Sequence, residues 1–282
     1  MARLAKEISK WLTGSSPDKS LIRFDMAILT FHHITDDLPL GLNQCSARRL
    51  KTILKAILDS GFKIIPLAEY VIAEDNSKLV AITFDDGYES FYSAAFPIFQ
   101  EMNMPAAVFV PYNHISKTNS WDYAGRLRQI SHLSAEQIKA LSDSGIEIGS
   151  HGLSHISLKG LSNRLLRLEL EKSKKGLEDI TGREIKFISY PFGRFNEKVE
   201  KFALEVEYSR GFSLSFLRKS PSGFTLPRHA VYITDTPYSV LNKTGSGVMA
   251  RLERLKGAII NTYAYGTIFL NRLRPGRLTR PD

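Results

Sequence analysis

One cysteine in 282 residues, Cys45, leaves no partner for an internal disulfide and no basis for a cysteine-built zinc module. Also missing is any apolar run approaching the roughly 20 residues needed to span a bilayer. The opening stretch, MARLAKEISKWLTGSSPDKS, scatters its charges and has no continuous apolar core of the kind a secretory signal requires. No internal repeat or low-complexity block interrupts the chain. With 43% hydrophobic and 24% charged residues, neither disorder nor a coiled coil describes it. These absences lead us to expect a soluble, cytoplasmic, single-domain protein.

Positive charge, by contrast, is in excess. Thirty-eight Lys and Arg against 29 Asp and Glu give a net +9. Much of it lies between Arg251 and Asp282, where seven basic residues face two acidic ones. A basic excess can signal nucleic acid, an anionic membrane or an anionic substrate. No recognition motif accompanies it here, and the basic residues of the tail are not interleaved with a stacking series of aromatics, so nucleic acid is not an expected partner. The segment Ser246–Leu270 carries Tyr263, Tyr265 and Phe269 just before Arg272, Arg274 and Arg277. Too short to span a bilayer, it suggests peripheral contact with an anionic membrane; a helix packed on the domain, with a solvated basic end, is the other reading. Sedimentation with anionic liposomes at low salt separates the two.

What the chain does contain is an alternation of strand-like and helix-like segments. Met26–Ile34, Phe62–Pro66, Leu79–Phe84, Ala106–Pro111, Ile146–Gly149 and Ile185–Tyr190 read as strands, with weaker candidates at Tyr208–Leu214 and Ala230–Ile233. Helical spacing marks Ser46–Ser60, Ser90–Met102, a segment opened by the capping pair Ser134 and Gln137, and Leu161–Ile180. Such alternation predicts a parallel sheet with helical crossovers, hence a doubly wound sheet or a barrel.

Several of these strands end in polar groups: His32-His33, Asp85-Asp86, Ser150-His151 and Tyr190-Pro191. In a parallel sheet or barrel these ends converge on one rim, where active sites of such folds sit. Two adjacent carboxylates at a strand end repel each other unless a cation or donors offset them. His151 and His155, four apart, can share one side of a helical turn and serve one ion. Two imidazoles and a carboxylate with one open position make a catalytic zinc site, and a neighbouring carboxylate is a natural base for its water. Singly, H-x-x-x-H is often a pair of surface histidines and Asp-Asp-Gly a turn; together, at strand ends, they point to catalysis.

Thr83-Phe84-Asp85-Asp86-Gly87-Tyr88, Ser150-His151-Gly152-Leu153-Ser154-His155 and Tyr190-Pro191-Phe192-Gly193 resemble the first three motifs of the polysaccharide deacetylases, the NodB homology domain of carbohydrate esterase family four. The resemblance runs from about Ala27 to Ile233. It implies an α/β fold, a distorted TIM-like (β/α) barrel of about seven strands, and metal-dependent hydrolysis of an N-acetyl group from an amino sugar. It implies Asp85 as general base, Asp86, His151 and His155 as metal ligands, and the backbone N–H of Phe192 as part of an oxyanion hole. Two departures stand out. Ser189 occupies the place of the family's arginine that steadies the catalytic aspartate, a role Arg228 can take from another strand. No late leucine-x-histidine is evident; instead Phe31-His32 closes the first strand, as in poly-N-acetylglucosamine deacetylases. His32 is the candidate acid and His33 its competitor, since alternation turns only one toward the barrel mouth.

On this reading residues 1–25 are an extension, 26–240 the barrel domain and 241–282 a basic C-terminal segment. The expected partner is an N-acetylated glycan, either a cytoplasmic oligosaccharide or a lipid-linked sugar. The expected metal is Zn2+, with Co2+ or Ni2+ suited to the same donors. Trp121, Tyr123 and Phe195 offer a sugar-stacking platform or, alternatively, core and loop packing. The competing functional class is a catalytically silent carbohydrate- or membrane-surface-binding barrel.

Overall fold

Leu79–Phe84, apolar and rich in β-branched residues, forms the longest strand of a parallel sheet. The computed structural model describes residues 27–37, 41–118, 129–214, 220, 222–244, 252–253, 255–257 and 260. The 1–25 extension, Trp121, Tyr123, the arginines after residue 270 and the rest of Ser246–Leu270 lie outside the described residues. The strands, in chain order, are β1 (Ile28–Phe31), β2 (His33–Ile34), β3 (Gln44–Cys45), β4 (Lys63–Ile64), β5 (Leu79–Phe84), β6 (Ala107–Val110), β7 (Glu147–Ser150), β8 (Phe187–Ser189), β9 (Arg210–Ser213), β10 (Thr225–Pro227) and β11 (His229–Ala230). Eight of them lie side by side in the order β10-β9-β8-β7-β6-β5-β1-β11. The short β4 pairs with the start of β5, and β2 with β3 forms a separate pair. Cys45 is buried in that pair, and burial pushes its thiol up to about 11.

Closure comes from one stretch, 225–230. Its first half pairs with β9 and its second half with β1. Between the halves, the Arg228 N–H donates to the Ser213 carbonyl at 2.8 Å. The last strand therefore touches both free edges and nearly closes the sheet into a barrel. The expected barrel is borne out, with eight strands in its wall rather than about seven. The figure of about seven comes from the family resemblance; the strand-like segments of the sequence include Ala230–Ile233, which overlaps β11, but not β10, where Pro227 and Arg228 interrupt any apolar pattern.

Helices cover the outside: α1 (Ala47–Asp59), α2 (Leu67–Tyr70), α3 (Phe96–Glu101), α4 (Ala135–Asp143), α5 (Asn163–Thr181), α6 (Glu197–Glu205) and α7 (Pro237–Thr244). Their ends carry recognisable signals. The Ser46 side chain caps α1, Ser134 and Gln137 form a complete capping box on α4, and α5 begins at the Ser162 cap. The expected helix over 90–102 forms in two parts, a π-helical turn at Phe91–Ala95 running into α3.

Alternation along each strand sorts residues into two layers. Leu29, Phe31, Val80, Ile82, Phe84, Val108, Val110, Ile148 and Ile188 face outward and pack with α1, α4 and α5 through Leu50, Ile53, Ile138, Leu141, Leu166 and Leu170. Ile28, Ala81, Ala107, Phe109, Phe187 and Phe212 point inward and meet Ile65, Leu67 and Tyr70. The Phe109 ring lies where a side chain on β7 would otherwise project: a Cβ on Gly149 would stand 2.5 Å from it. This apolar filling is the floor on which the polar residues of the same inward register stand.

Candidate active site and metal centre

Above that floor, the inward register of β1, β5 and β8 carries Thr30, Thr83, Asp85 and Ser189, all buried. The Thr30 and Thr83 hydroxyls are 2.9 Å apart. Arg228, at the junction of β10 and β11, is fully buried, with its guanidinium carbon 5.0 Å from the Phe109 ring centre and 5.7 Å from that of Phe212. It grips Asp85 with both ends of its fork: Nη1 donates to Oδ1 at 2.9 Å and Nη2 to Oδ2 at 2.7 Å. Nη2 also donates to Ser189 Oγ at 2.6 Å, and that hydroxyl donates to Asp85 Oδ2 at 3.2 Å. Burial alone would raise the Asp85 pKa, but the guanidinium, aided by His151, outweighs it and holds the carboxyl below its ordinary value. Asp85 is therefore an ionised carboxylate in a nearly dry pocket.

Next to it, Asp86 turns to the rim. Its backbone has φ 68°, a left-handed conformation that a non-glycine residue adopts at a cost. Its Oδ1 lies 3.3 Å from His151 Nε2 and 3.1 Å from His155 Nε2. These donors all lie within 4.8 Å of one another, the only such group of three among the described residues. The two Asp86–histidine edges match the roughly 3.3 Å separating ligands that sit about 2.0–2.1 Å from a tetrahedral ion. His151 Nδ1 bonds the Ser189 carbonyl at 2.7 Å, which makes Nδ1 the protonated nitrogen and leaves the Nε2 lone pair toward Asp86. Burial opposes a charge on His151, yet Asp85 and Asp86 together raise its pKa. Burial instead lowers the His155 pKa, so the two imidazoles shift in opposite directions while Asp86 beside them is held ionised.

The two histidines do not share a helical turn. Residues 151–155 form a loop in which Gly152 has φ 76° and His155 φ 50°, and these two left-handed residues, rather than a 3.6-residue period, bring the rings to a 5.0 Å centroid separation. The loop is fastened to α5 by Glu169, whose buried carboxylate accepts the N–H groups of Leu153 and Ser154. The sequence reading missed Glu169. Its signal was there: an acid on the same helical face as Leu166, Leu170 and Leu177, where a solvated charge does not belong.

His32 continues the inward parity of Ile28 and Thr30. It is buried, a positive charge on it would lower the pKa of both Asp85 and Asp86, and its Nδ1 has no hydrogen-bond partner among the described residues. His33 turns the other way, its ring edge-on to Tyr88 at 5.4 Å. Phe192 sits in the turn after β8 with φ 60°, its ring 4.9 Å from that of His155. Phe195 is not part of a platform: it is buried and stacked on Tyr190 at 5.5 Å.

A family model described as polysaccharide deacetylase matches residues 73–211, which include Asp85, Asp86, His151, His155 and Phe192 but neither His32 nor Arg228. The Bacillus subtilis protein YxkH, provisionally named a polysaccharide deacetylase, is 29% identical over 210 residues, 73% of this chain and 68% of that protein. The poly-beta-1,6-N-acetyl-D-glucosamine N-deacetylase of Staphylococcus aureus is 24% identical over 218 residues, 72% of each chain. Among solved structures, the Streptococcus pyogenes deacetylase PplD in complex with acetate shares the fold with a TM-score of 0.65 at 21% identity, over 78% of this chain and 98% of that one.

Proposed function

Because this chain belongs to the polysaccharide deacetylase family, we propose that it hydrolyses the N-acetyl amide of an amino sugar within an oligosaccharide, polysaccharide or lipid-linked glycan. The observation that carries this reading is one pocket holding both an ionised, arginine-gripped carboxylate and the Asp86–His151–His155 donor set. A divalent ion held by Asp86, His151 and His155, zinc in our reading and cobalt or nickel by the same donors, would supply Lewis acidity and a water of lowered pKa.

The chain's own groups supply the rest. Asp85 takes the proton of the attacking water on Oδ1, which accepts only from Arg228 and keeps a lone pair, whereas Oδ2 is filled by Arg228 and Ser189. The Phe192 N–H donates to the oxygen on which charge develops as water adds to the acyl carbon. His32 gives a proton to the sugar nitrogen as the C–N bond breaks, so acetate and a free amine leave. Arg228 and Ser189 keep the base ionised and aimed, and the apolar floor beneath excludes bulk water from it.

Acetate release from a panel of N-acetylated oligosaccharides and lipid-linked sugars tests the proposal. Release should stop on chelation and return with added divalent ion. No release from any panel member by metal-loaded protein would leave the silent binding barrel as the better reading. His32→Ala should lower kcat by about 10²-fold or more with metal content unchanged. A fully active His32→Ala protein removes that residue from the mechanism.

A further inference from the structure

Residues 151–155 carry two of the three candidate metal donors, yet the loop belongs to no helix or strand beyond Ser150. Every peptide group between the two histidines is nonetheless held. The Gly152 N–H donates to Ser150 Oγ at 3.1 Å. The N–H groups of Leu153 and Ser154 both donate to Oε2 of Glu169, at 2.9 and 3.0 Å. On the opposite side, the Gly152 carbonyl accepts from the Tyr112 N–H at 3.2 Å and the Leu153 carbonyl from the Asn113 N–H at 2.8 Å, while the His114 ring bonds the Ser154 backbone.

Glu169 reaches this position because α5 comes unusually close to the 112–114 segment. Two turns further along that helix, Gly176 lies against the Tyr112 ring, where a Cβ would stand 2.2 Å from it. Glu169 itself is only 5% exposed, and one oxygen serves two donors. Fixing a loop backbone costs conformational entropy. A loop already fixed by a carboxylate does not incur that cost when an ion binds.

We propose that Glu169 is a positioning residue that sets the affinity of the Asp86–His151–His155 centre for a divalent ion without touching the ion. The inference rests on the reading of that triad as the metal centre. Outer partners that orient metal ligands typically contribute 10–100-fold to affinity.

The test is a zinc titration of metal-free full-length protein against a competing chromophoric chelator, with circular dichroism and melting temperature recorded for each variant. Glu169→Ala should fold and bind zinc about 10–100-fold more weakly than wild type. Glu169→Gln keeps an acceptor oxygen for both N–H groups and should restore most of that loss. Unchanged zinc affinity in Glu169→Ala, whatever its melting temperature, would reduce the residue to a buttress and overturn the proposal. Wild-type protein that binds zinc no better than Asp86→Ala would overturn the metal-centre reading beneath it instead. Hydrogen exchange on the metal-free wild type needs no variant: the Leu153 and Ser154 amides should be protected before zinc is added, and exchange at open-loop rates overturns the proposal.

Discussion

Asp85→Asn is expected to lower the rate of amide hydrolysis by about 10²–10⁴-fold while the protein keeps its metal. The amide preserves the shape of the carboxylate but cannot take a proton from water. Asp86, His151 and His155 make their own contacts and lose no donor atom. The substitution also turns one acceptor oxygen into an NH2 group facing Arg228 or Ser189, so a stability loss of about 1–3 kcal/mol should accompany it. Steady-state kinetics beside metal analysis of the same preparation reads both effects. Near-wild-type turnover in metal-replete Asp85→Asn would show that another group is the base.

Arg228→Met should be the most destabilising single change at the site. The guanidinium is wholly buried and shares four hydrogen bonds among Asp85, Thr83 and Ser189. Removing it strands the Asp85 charge in the pocket, a situation that costs about 3–5 kcal/mol. In a domain of this size that lowers the melting temperature by roughly 6–20 °C. The pH dependence follows from the direction of the Asp85 shift. Its folded-state pKa is depressed, so its stabilising contribution is complete above the unfolded carboxyl value and is lost as pH falls through the folded one. Without Arg228 the folded pKa rises, and the acid limb of the rate profile should move to higher pH. The double variant Arg228→Met with Asp85→Asn buries no lone charge and should recover much of the stability. A single variant as stable as wild type in urea unfolding, with its acid limb unmoved, would contradict this account.

The sequence reading succeeded where local physics and tertiary structure agree. Leu79–Phe84 forms the strand expected of a β-branched apolar run, and Ser134 with Gln137 makes the expected capping box. Asp85, Asp86 and His151 were legible because polar residues ending apolar strands have few places to go but the rim. What escaped it depends on distant partners. Thr225–Ala230 is extended only because β9 and β1 each offer an open edge. The geometry of 151–155 follows from Gly152 and from a carboxylate on another helix, so residue spacing alone suggested the wrong local shape. Phe195 shows the same limit: an aromatic residue in a loop does not reveal whether it faces a ligand or, as here, Tyr190.

The divided closing strand also orders events in time. Asp85 and Arg228 stand 143 positions apart, and the chain is made from its N-terminus. At synthesis rates of 5–20 residues per second, Asp85 precedes its arginine by roughly 7–30 s. Throughout that interval the nascent sheet has an open edge at β1 and a carboxylate without its counterion. Residues 225–230 carry both the missing edge pairing and the counterion. Completion of the candidate site is thus coupled to topological completion: a chain stalled before Arg228 carries every candidate metal donor and the candidate base, but not the cation that holds that base ionised.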